Sequence, residues 1–237
     1  MTAATQKTAL VTGASSGIGA ATAEALAKDG WHVFVAARRA DRIKEVAERI
    51  GGTAIELDVT DLDSVARMAE QIEQLDLLVN NAGGAKGLDS VADADLDDWR
   101  WMYETNVIGT LNVTRALLDA LIAADGTIIN VGSVAALNPY PGGAGYNAAK
   151  FGVRAMTSVL RQETIDTPLR ITEIDPGRVK TDFSLIRFKG DADKAEEVYA
   201  DKLNLTAADI AETVRWVASL PSHVNIENMT IKPKDQL

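Results

Sequence analysis

Directly after its first apolar run, Thr8–Val11, the chain reads Thr12-Gly13-Ala14-Ser15-Ser16-Gly17-Ile18-Gly19 and continues into a stretch of helical periodicity, Gly17–Lys28. Glycines allow a sharp turn and a close approach of the backbone to a ligand. The start of a helix presents unpaired N–H groups and the positive end of its dipole to an anion. This stretch therefore predicts a strand, a phosphate-binding turn and a helix, with a tight turn that binds no ligand as the alternative.

Apolar runs and amphipathic stretches alternate along most of the chain, as they do in βα units wound around a parallel sheet. We predict an α/β fold of the Rossmann type, a doubly wound seven-stranded parallel sheet with helices on both faces. The predicted strands are Thr8–Val11, Val33–Ala37, Ala54–Leu57, Leu77–Val79, Thr127–Val131, Ile171–Ile174 and Asn228–Ile231. The predicted helices are Gly17–Lys28, Ala40–Ile50, Leu62–Gln74, Leu96–Ala123, Asn147–Ile165 and Ala207–Leu220.

The length of 237 residues favours one large dinucleotide-binding catalytic domain over the whole chain, residues 1–237. The stretch Lys180–Leu205 interrupts the alternation, because it mixes charges with scattered apolar residues. A long irregular segment in a compact domain often covers an active site. We therefore predict a mobile substrate flap at about residues 180–205.

Charge and cysteine content exclude several classes of function. The chain has 34 acidic and 24 basic residues, a net charge of −10, which repels nucleic acid and anionic membrane surfaces. With no cysteine it has no disulfide, thiolate nucleophile or cysteine zinc site, and it fits a reducing cytoplasm. The two histidines, His32 and His223, are too far apart for a metal cluster, and no export signal or membrane span is expected. A small-molecule substrate remains.

The second predicted strand ends at Ala37 without the Asp or Glu that binds a ribose 2′-hydroxyl in many dinucleotide-binding proteins. Arg38 and Arg39 follow instead. An arginine in this place can bind a 2′-phosphate through paired, charge-assisted hydrogen bonds. The sequence therefore predicts NADP as the cofactor, while an ion pair of Arg38 with Asp41 on the helix surface is the alternative.

Polar residues follow three further strands: Asp58-Val59 after the third, Asn80-Asn81-Ala82-Gly83 after the fourth and Ser133 after the fifth. Doubly wound folds bind ligands at the carboxyl ends of their strands, so the cofactor is expected to cross these residues. Asn106 lies in a β-branched run followed by a glycine, which predicts a locally loosened helix and a backbone carbonyl open to water. Taken alone, Ser133 and Asn106 are more often structural residues.

Tyr146 and Lys150 stand four residues apart at the start of a predicted helix, so their side chains share one face. A tyrosine that acts as a base near neutral pH needs its pKa lowered by roughly 3 units, about 4 kcal/mol. One positive charge at ~5 Å supplies about 3 kcal/mol at an effective dielectric of ~20. Lys150 and an oxidised nicotinamide together are predicted to be sufficient, although a Tyr–Lys pair at this spacing is also common on surface helices.

Together, these motifs resemble the short-chain dehydrogenase/reductase family in their order and spacing. They are the glycine turn Gly13–Gly19, Asn80–Gly83, Asn106, Ser133, Tyr146–Lys150 and Pro176-Gly177. The resemblance covers Thr8 to about Thr181 and implies a hydride-transfer enzyme. It also implies a catalytic tetrad in which Tyr146 is the general acid/base, Lys150 lowers its pKa and holds the nicotinamide ribose, Ser133 orients the substrate oxygen and Asn106 supports a proton-relay water.

The same resemblance implies the residues that contact the cofactor. They are Gly13, Ser15, Ser16, Gly17, Ile18, Arg38, Arg39, Asp58, Val59, Asn81, Tyr146, Lys150, Val179 and Thr181, with Gly177 over the nicotinamide.

The last quarter of the chain, including Arg187–Asp191 and Leu220–Ile226, is similar to the subgroup of NADP-dependent 3-hydroxy acid dehydrogenases, which includes serine and allo-threonine dehydrogenases. That likeness implies oxidation of the 3-hydroxyl of small 3-hydroxy acids or 3-hydroxy amino acids, such as serine, allo-threonine and 3-hydroxypropionate, by a cytoplasmic homotetramer. A carbonyl reductase for bulkier ketones or aldehydes is one alternative. A non-catalytic NADP-sensing protein is another.

The segment from Arg178 to Lys189 carries four cations, Arg178, Lys180, Arg187 and Lys189, against Asp182 alone, a local charge of +3. The planar fork of an arginine suits a carboxylate better than the point charge of a lysine. Arg187 or Arg178 is therefore predicted to bind the substrate carboxylate. In the alternative, these cations serve the cofactor pyrophosphate or coat a mobile loop.

The predicted homotetramer is expected to use the long helix Leu96–Ala123 and the helix that carries Tyr146. Apolar residues lie on more than one face of the long helix, among them Trp99, Trp101 and Leu111. In the alternative, both tryptophans belong to the core.

Overall fold

The computed structural model describes residues 6–237, so residues 1–5 of the predicted domain lie outside it. Seven parallel strands form one sheet in the order β3-β2-β1-β4-β5-β6-β7. They are β1 (Thr8–Thr12), β2 (His32–Ala37), β3 (Thr53–Glu56), β4 (Leu77–Asn80), β5 (Thr127–Val131), β6 (Arg170–Pro176) and β7 (Asn228–Ile231). The predicted seven-stranded, doubly wound parallel sheet is confirmed, and the order reverses between β1 and β4.

Nine α-helices accompany the described strands. They are α1 (Gly17–Lys28), α2 (Ala40–Ile50), α3 (Leu62–Ala69), α4 (Leu96–Tyr103), α5 (Gly109–Ala123), α6 (Ala144–Glu163), α7 (Phe183–Arg187), α8 (Ala192–Glu197) and α9 (Ala207–Ser219). Within residues 6–237, no helix has both the length and the apolar character needed to cross a membrane.

The two faces of the sheet hold separate cores because successive side chains of a strand point in opposite directions. Ala9 and Val11 of β1 belong to the core under α1, α2 and α9, which includes Leu26 and Ile210. Leu10 belongs to the opposite core, under α3 and α5. Strands buried on both faces read as continuous apolar runs, which is why the sequence predicts them well.

Helix α3 ends at Ala69 rather than at the predicted Gln74. Beyond it the N–H of Gln71 donates to Met68 O and that of Ile72 to Ala69 O, so the chain tightens into a turn that leads to β4. Ile72 and Leu75 remain buried without being helical, and their spacing is what imitates a longer helix. Helix α6 begins at Ala144, three residues before the predicted start.

The predicted helix Leu96–Ala123 is divided by a π-helical segment, Glu104–Ile108, between α4 and α5. The predicted loosening of the helix around Asn106 takes this form. A Cβ on Gly109 would lie 2.5 Å from Val59 Cγ2, so the glycine allows the helix to approach the loop after β3. The division therefore sets how α4 and α5 sit against the sheet.

The prediction of an irregular segment at 180–205 is wrong, because the segment contains the short helices α7 and α8. The Asp191 side chain caps α8 by accepting a hydrogen bond from Lys194 N. Ser184 Oγ donates to Tyr199 Oη at 2.8 Å and ties the two helices together. A bridge between Val179 and Leu205 closes the base of the segment. We keep the name flap for residues 180–205, and the mobility of the flap stays a prediction.

Asn80 joins the middle of the sheet to α5, and its replacement tests this contact. Its buried Nδ2 donates to Thr114 Oγ1 at 3.0 Å and to Asn130 Oδ1 at 2.9 Å. We predict that Asn80→Ala lowers the free energy of unfolding by about 2–3 kcal/mol, because two buried acceptors lose their donor. Urea denaturation measures the change. Asn138→Ala, at an exposed asparagine, is the control and should cost less than about 0.5 kcal/mol; equal losses in the two variants would contradict the role of Asn80.

Candidate functional site

A cavity of about 530 Å³ opens at the carboxyl ends of the central strands. It brings together thirteen of the residues predicted for the site: Gly13, Ser16, Gly17, Ile18, Asn81, Ser133, Tyr146, Lys150, Gly177, Arg178, Val179, Thr181 and Arg187. Six other predicted residues do not line it: Ser15, Arg38, Arg39, Asp58, Val59 and Asn106. The cavity is the natural place for both a cofactor and a small substrate.

The glycine turn forms one wall of this cavity. Gly13 has a φ of +65° and Gly17 a φ of +55°, which is the left-handed region that favours glycine. A Cβ on Gly13 would lie 2.9 Å from Ala82 Cα, because the chain after β4 passes directly beside the turn. Thr12 Oγ1 accepts the N–H groups of Asn81 and Ala82 and holds the two segments together. This cradle fits the pyrophosphate that the turn predicts.

Arg39 contacts the glycine turn directly. Its Nη2 donates to the hydroxyls of Ser15 and Ser16 at 2.7 Å each. Arg38 is exposed, and within residues 6–237 it forms no ion pair, so the alternative of an Arg38–Asp41 pair is wrong. Two guanidinium groups and no acid therefore follow β2. This arrangement fits a 2′-phosphate and disfavours a free 2′-hydroxyl.

Asp58 and Val59 follow β3 beside these arginines. Burial acts to raise the pKa of Asp58, but hydrogen bonds from the N–H and hydroxyl of Thr60, together with the charge of Arg38, hold that pKa below its usual value. Val59 is buried against Gly109, and its carbonyl accepts Asn112 Nδ2 at 3.0 Å. The side chain of Val59 thus belongs to the core rather than to the cavity.

Ser133 and Tyr146 meet inside the cavity. Ser133 follows β5, and its Oγ accepts the N–H of Ala135 at 3.1 Å at the start of a short 3-10 turn. Tyr146 is 8% exposed. Burial raises the pKa of Tyr146 above its usual value, while the hydrogen bond with Ser133 and the charge of Arg187 act to lower it. The geometry suits proton exchange with a substrate oxygen held between the two hydroxyls.

Lys150 does not contribute to the pKa shift of Tyr146 in the structure, and its predicted effect together with an oxidised nicotinamide stays a prediction. Lys150 Nζ donates to Val131 O at 2.9 Å and lies 5.9 Å from the centre of the Tyr146 ring. The charges that lower the pKa of Tyr146 include Arg187 and not Lys150, and the net shift is upward. Burial also lowers the pKa of Lys150 to about 8, against the opposing effect of Glu173 and Asp175. For both buried side chains, Tyr146 and Lys150, the cost of desolvation outweighs the effect of nearby charges on the pKa.

Asn106 supports the wall of the cavity from behind. Its Nδ2 donates to Gly84 O at 2.9 Å and to Met102 O at 2.7 Å, and its Oδ1 accepts Gly84 N. Its own carbonyl accepts the Thr110 hydroxyl at 2.7 Å. The backbone carbonyl of Asn106, which the sequence predicts to be open to water, therefore already accepts one hydrogen bond. The side chain of Asn106 holds the Gly83-Gly84 turn in place.

Of the four cations between Arg178 and Lys189, three have carboxylate partners. Lys180 pairs with Glu196 at 2.6 Å, Lys189 with Asp98 at 2.8 Å and Arg178 with Asp235 at 2.9 Å. Arg178 also donates to Leu203 O and to Asn204 Oδ1. The structure therefore does not support Arg178 as a binder of the substrate carboxylate, because the residue fastens the base of the flap to the carboxyl-terminal segment.

Arg187 differs from the other three of these cations, since within residues 6–237 it has no carboxylate partner. Its Nε donates to Gly87 O at 3.1 Å and its Nη1 to Tyr140 Oη at 2.9 Å. Its buried Nη2 has no hydrogen-bond partner there. The guanidinium carbon lies 5.8 Å from the centre of the Tyr146 ring. A buried guanidinium nitrogen without a partner, close to the ring of Tyr146, is suited to bind an anion.

Sequence analysis did not identify Tyr140, Asp175 or Gln236 as site residues. Tyr140 lines the cavity and orients Arg187, and its place between Ser133 and Tyr146 is the signal that could have indicated it. Gln236 reaches the cavity from the carboxyl-terminal segment, where its Oε1 accepts Arg178 N at 2.7 Å. No local pattern in the sequence indicates that contact.

Comparison with known proteins agrees with this geometry. Residues 7–190 match the family described as short chain dehydrogenase, which is more than half of the chain. The chain belongs to that family. An uncharacterized oxidoreductase of Mycobacterium tuberculosis is 56% identical over 98% of this chain and 92% of its own. An NADP-dependent 3-hydroxy acid dehydrogenase of Schizosaccharomyces pombe is 41% identical over 97% and 93%.

One solved structure resembles this chain more closely in shape than in sequence. The closed form of a serine dehydrogenase complexed with NADP+ has a TM-score of 0.95 and 38% identity, with 97% of this chain and 96% of that chain covered. The predicted family membership and the predicted oxidoreductase class are confirmed.

We predict that Tyr146 ionises above its usual pKa of ~10 in the protein without cofactor, because burial opposes the phenolate. Ultraviolet absorbance of the phenolate, followed as the pH is raised, measures this. The difference between the parent and Tyr146→Phe isolates the signal of Tyr146, and Tyr103→Phe, at an exposed tyrosine, is the control. The prediction is contradicted if the parent shows a phenolate signal near pH ~8 that is missing from Tyr146→Phe and present in Tyr103→Phe.

Proposed function

We propose that this chain transfers a hydride between NADP and the 3-hydroxyl of small 3-hydroxy acids or 3-hydroxy amino acids, of the serine, allo-threonine and 3-hydroxypropionate type. The observation that carries the proposal is the unpaired Nη2 of Arg187, buried beside Tyr146. A short substrate with a carboxylate on Arg187 and its 3-hydroxyl on Tyr146 would span that interval. The names of the serine and 3-hydroxy acid dehydrogenases among the relatives support the same substrate class.

The proposed chemistry assigns one role to each member of the tetrad. Ser133 donates a hydrogen bond to the substrate oxygen and orients it. Tyr146 takes the proton from the hydroxyl during oxidation and returns it during reduction. Lys150 holds the nicotinamide ribose, and Asn106 keeps the Gly83-Gly84 turn in position and supports a water at its carbonyl. NADP, when bound, accepts or supplies the hydride and adds a positive ring in its oxidised form.

The acid/base role requires the pKa of Tyr146 to fall from its raised value. Arg187 and the Ser133 hydrogen bond already act in that direction. A positively charged nicotinamide adds to them. The phenolate is therefore expected to form at working pH when the oxidised cofactor is bound, which makes proton removal dependent on a loaded site.

The proposed cofactor site extends from the glycine turn to the base of the flap. Backbone from Gly13 to Ile18 binds the pyrophosphate, and Arg38 and Arg39 with Ser15 bind the 2′-phosphate. Asp58, Val59, Asn81, Val179 and Thr181 complete the lining, with Gly177 over the nicotinamide. Because the side chain of Val59 is buried in the core, it contributes through its backbone.

The proposed cytoplasmic homotetramer uses α4 and α6, which belong to the two helices predicted from the sequence, but through residues other than the tryptophans. Trp99 and Trp101 are half-buried against the cluster around Tyr146, so they belong largely to the core. Tyr103 of α4 and Phe151 of α6 are 48% and 43% exposed, and a Cβ on Gly152 would lie 3.7 Å from the Tyr103 ring. This apolar patch on neighbouring helices supports contacts between copies through α4 and α6.

For the cofactor, we predict that Arg38→Ala shifts preference from NADP toward NAD, and that Ala37→Asp with Arg38→Ala shifts it further. Loss of a phosphate contact should cost about 2 kcal/mol, or about 30-fold in the ratio of kcat/KM values. The added carboxylate repels the 2′-phosphate. Arg42→Ala, which removes an exposed guanidinium of α2, is the control. An unchanged ratio would assign the phosphate to Arg39 and Ser15 alone.

For the substrate, we predict that Arg187→Met lowers kcat/KM about 30-fold or more on a 3-hydroxy acid relative to its methyl ester, because the ester does not need the cation. The comparison cancels any general effect on Tyr146. Arg178→Met is the matched control, since Arg178 is paired with Asp235 and should affect acid and ester alike. Equal losses on both substrates in Arg187→Met would overturn the carboxylate contact.

A further inference from the structure

Strand β6 carries two buried acids, Glu173 and Asp175, behind the catalytic residues. They are 2% and 0% exposed, and their spacing of two residues places both on one face of the sheet. Both carboxyls press against Gly132, where an added Cβ would meet Asp175 Oδ1 and would lie 2.7 Å from Glu173 Oε1. Acidic residues are rarely so buried unless their charge is used.

Asp175 holds the backbone of Ser133. Its Oδ1 accepts the Ser133 N–H at 2.8 Å. Its Oδ2 accepts Arg154 Nη1 at 3.0 Å and Asn228 Nδ2 at 2.7 Å. Three donors converge on this carboxylate, and one of them is the residue that orients the substrate oxygen. The position of the Ser133 backbone therefore depends on a carboxylate of the neighbouring strand β6.

Glu173 is the less satisfied member of the pair. No donor in the described chain forms a hydrogen bond to its Oε1, and Arg154 Nη1 is 3.8 Å away. Burial, followed by the charge of Asp175 and a hydrogen bond with it, raises the pKa of Glu173 to about 8. Glu173 therefore keeps its proton at neutral pH, and its hydrogen bond with Asp175 gives that proton a second acceptor.

The carboxyl pair of Glu173 and Asp175 faces Lys150. The ammonium donates to Val131 O, one residue before Gly132, and burial lowers its pKa to about 8 while Glu173 and Asp175 act to raise it. The titratable and charged groups that face the pair are Lys150, Arg154 and Tyr146, all from α6, and the charge of Asp175 acts to raise the pKa of Tyr146. From β5 the pair meets Gly132 and the Ser133 N–H, and from β7 the neutral Asn228.

We propose that Glu173 and Asp175 share one proton as a buried carboxyl pair whose negative charge positions Ser133 and keeps Lys150 in its ammonium form. The pair acts through the catalytic residues, so both acids are positioning residues. The inference rests on the proposed function for the roles of Ser133 and Lys150, but not for the identity of the substrate. When Glu173 loses its proton in alkaline solution, the second negative charge offsets the tendency of Lys150 to lose its own.

The test is equilibrium binding of NADP+ by calorimetry between about pH 6 and about pH 10. In the parent, affinity should fall in alkaline solution as Lys150 loses the proton that holds the ribose. In Glu173→Gln no second charge forms, so the pKa of Lys150 falls and the loss of affinity should begin at least about 0.5 pH unit lower. Glu227→Gln, at an exposed acid next to β7, is the matched control and should follow the parent.

Asp175→Asn gives a second readout. It should lower kcat about tenfold with a smaller change in the substrate KM, because the Ser133 hydroxyl is displaced while the cavity remains. If Asp175→Asn does not fold, Glu173→Gln alone decides, since it keeps Asp175 and its donors.

A parent without an alkaline loss of affinity overturns the proposal. The proposal is also overturned if the folded variants keep the parent's pH dependence while their thermal stability falls. A pair with a purely structural role would behave in that way. The binding assay needs no substrate. A parent that binds NADP+ but oxidises no 3-hydroxy acid would therefore refute the substrate assignment and leave this inference to be decided by the pH dependence.

Discussion

The reversal of strand order between β1 and β4 is the constraint on which the rest of the structure depends. Chains that leave the two strands diverge, so a crevice opens where the carboxyl ends of a parallel sheet meet. Thr12 Oγ1 spans this point by accepting the N–H groups of Asn81 and Ala82. The glycine turn can approach that closely because Gly13 has no side chain. The cavity, its phosphate cradle and its catalytic wall all follow from this one crossing.

Burial shifts the pKa of three titratable groups in and behind the crevice. It raises the pKa of Tyr146 and of Glu173 and lowers that of Lys150. In a low dielectric, each of these groups resists its charged form unless a neighbour compensates it. A site built in this way holds its protons without ligand and changes them when a charged cofactor arrives. Under the proposed function, such dependence would limit proton transfer to the enzyme with bound cofactor.

Ion pairs distinguish the cations that stabilise the flap from Arg187, the cation proposed to bind the substrate. Arg178, Lys180 and Lys189 are each paired with a carboxylate. The Lys189–Asp98 pair joins the flap to α4, and the Arg178–Asp235 pair joins the base of the flap to the carboxyl-terminal segment, whereas the Lys180–Glu196 pair lies within the flap. Arg187 is held by neutral acceptors, Gly87 O and Tyr140 Oη, which orient it without cancelling its charge. A molecule with a net charge of −10 thereby keeps the guanidinium of Arg187 close to Tyr146. The field of this cation is available to an anionic substrate.

The sequence by itself determined the seven strands, the phosphate-binding turn, the absence of an acid after β2 and the spacing of Tyr146 and Lys150. These features are local: apolar runs, glycines and an i, i+4 pair report on conformation within one or two turns of the chain. Tertiary structure alone decided which charges meet. Asp235 lies 57 residues from Arg178, and Asp175 lies 42 residues from Ser133, so no pattern within a segment predicts either contact. Burial likewise raises the pKa of Tyr146, and this effect could not be predicted from sequence, because the cost of desolvation depends on the whole fold around a side chain and not on its neighbours in sequence.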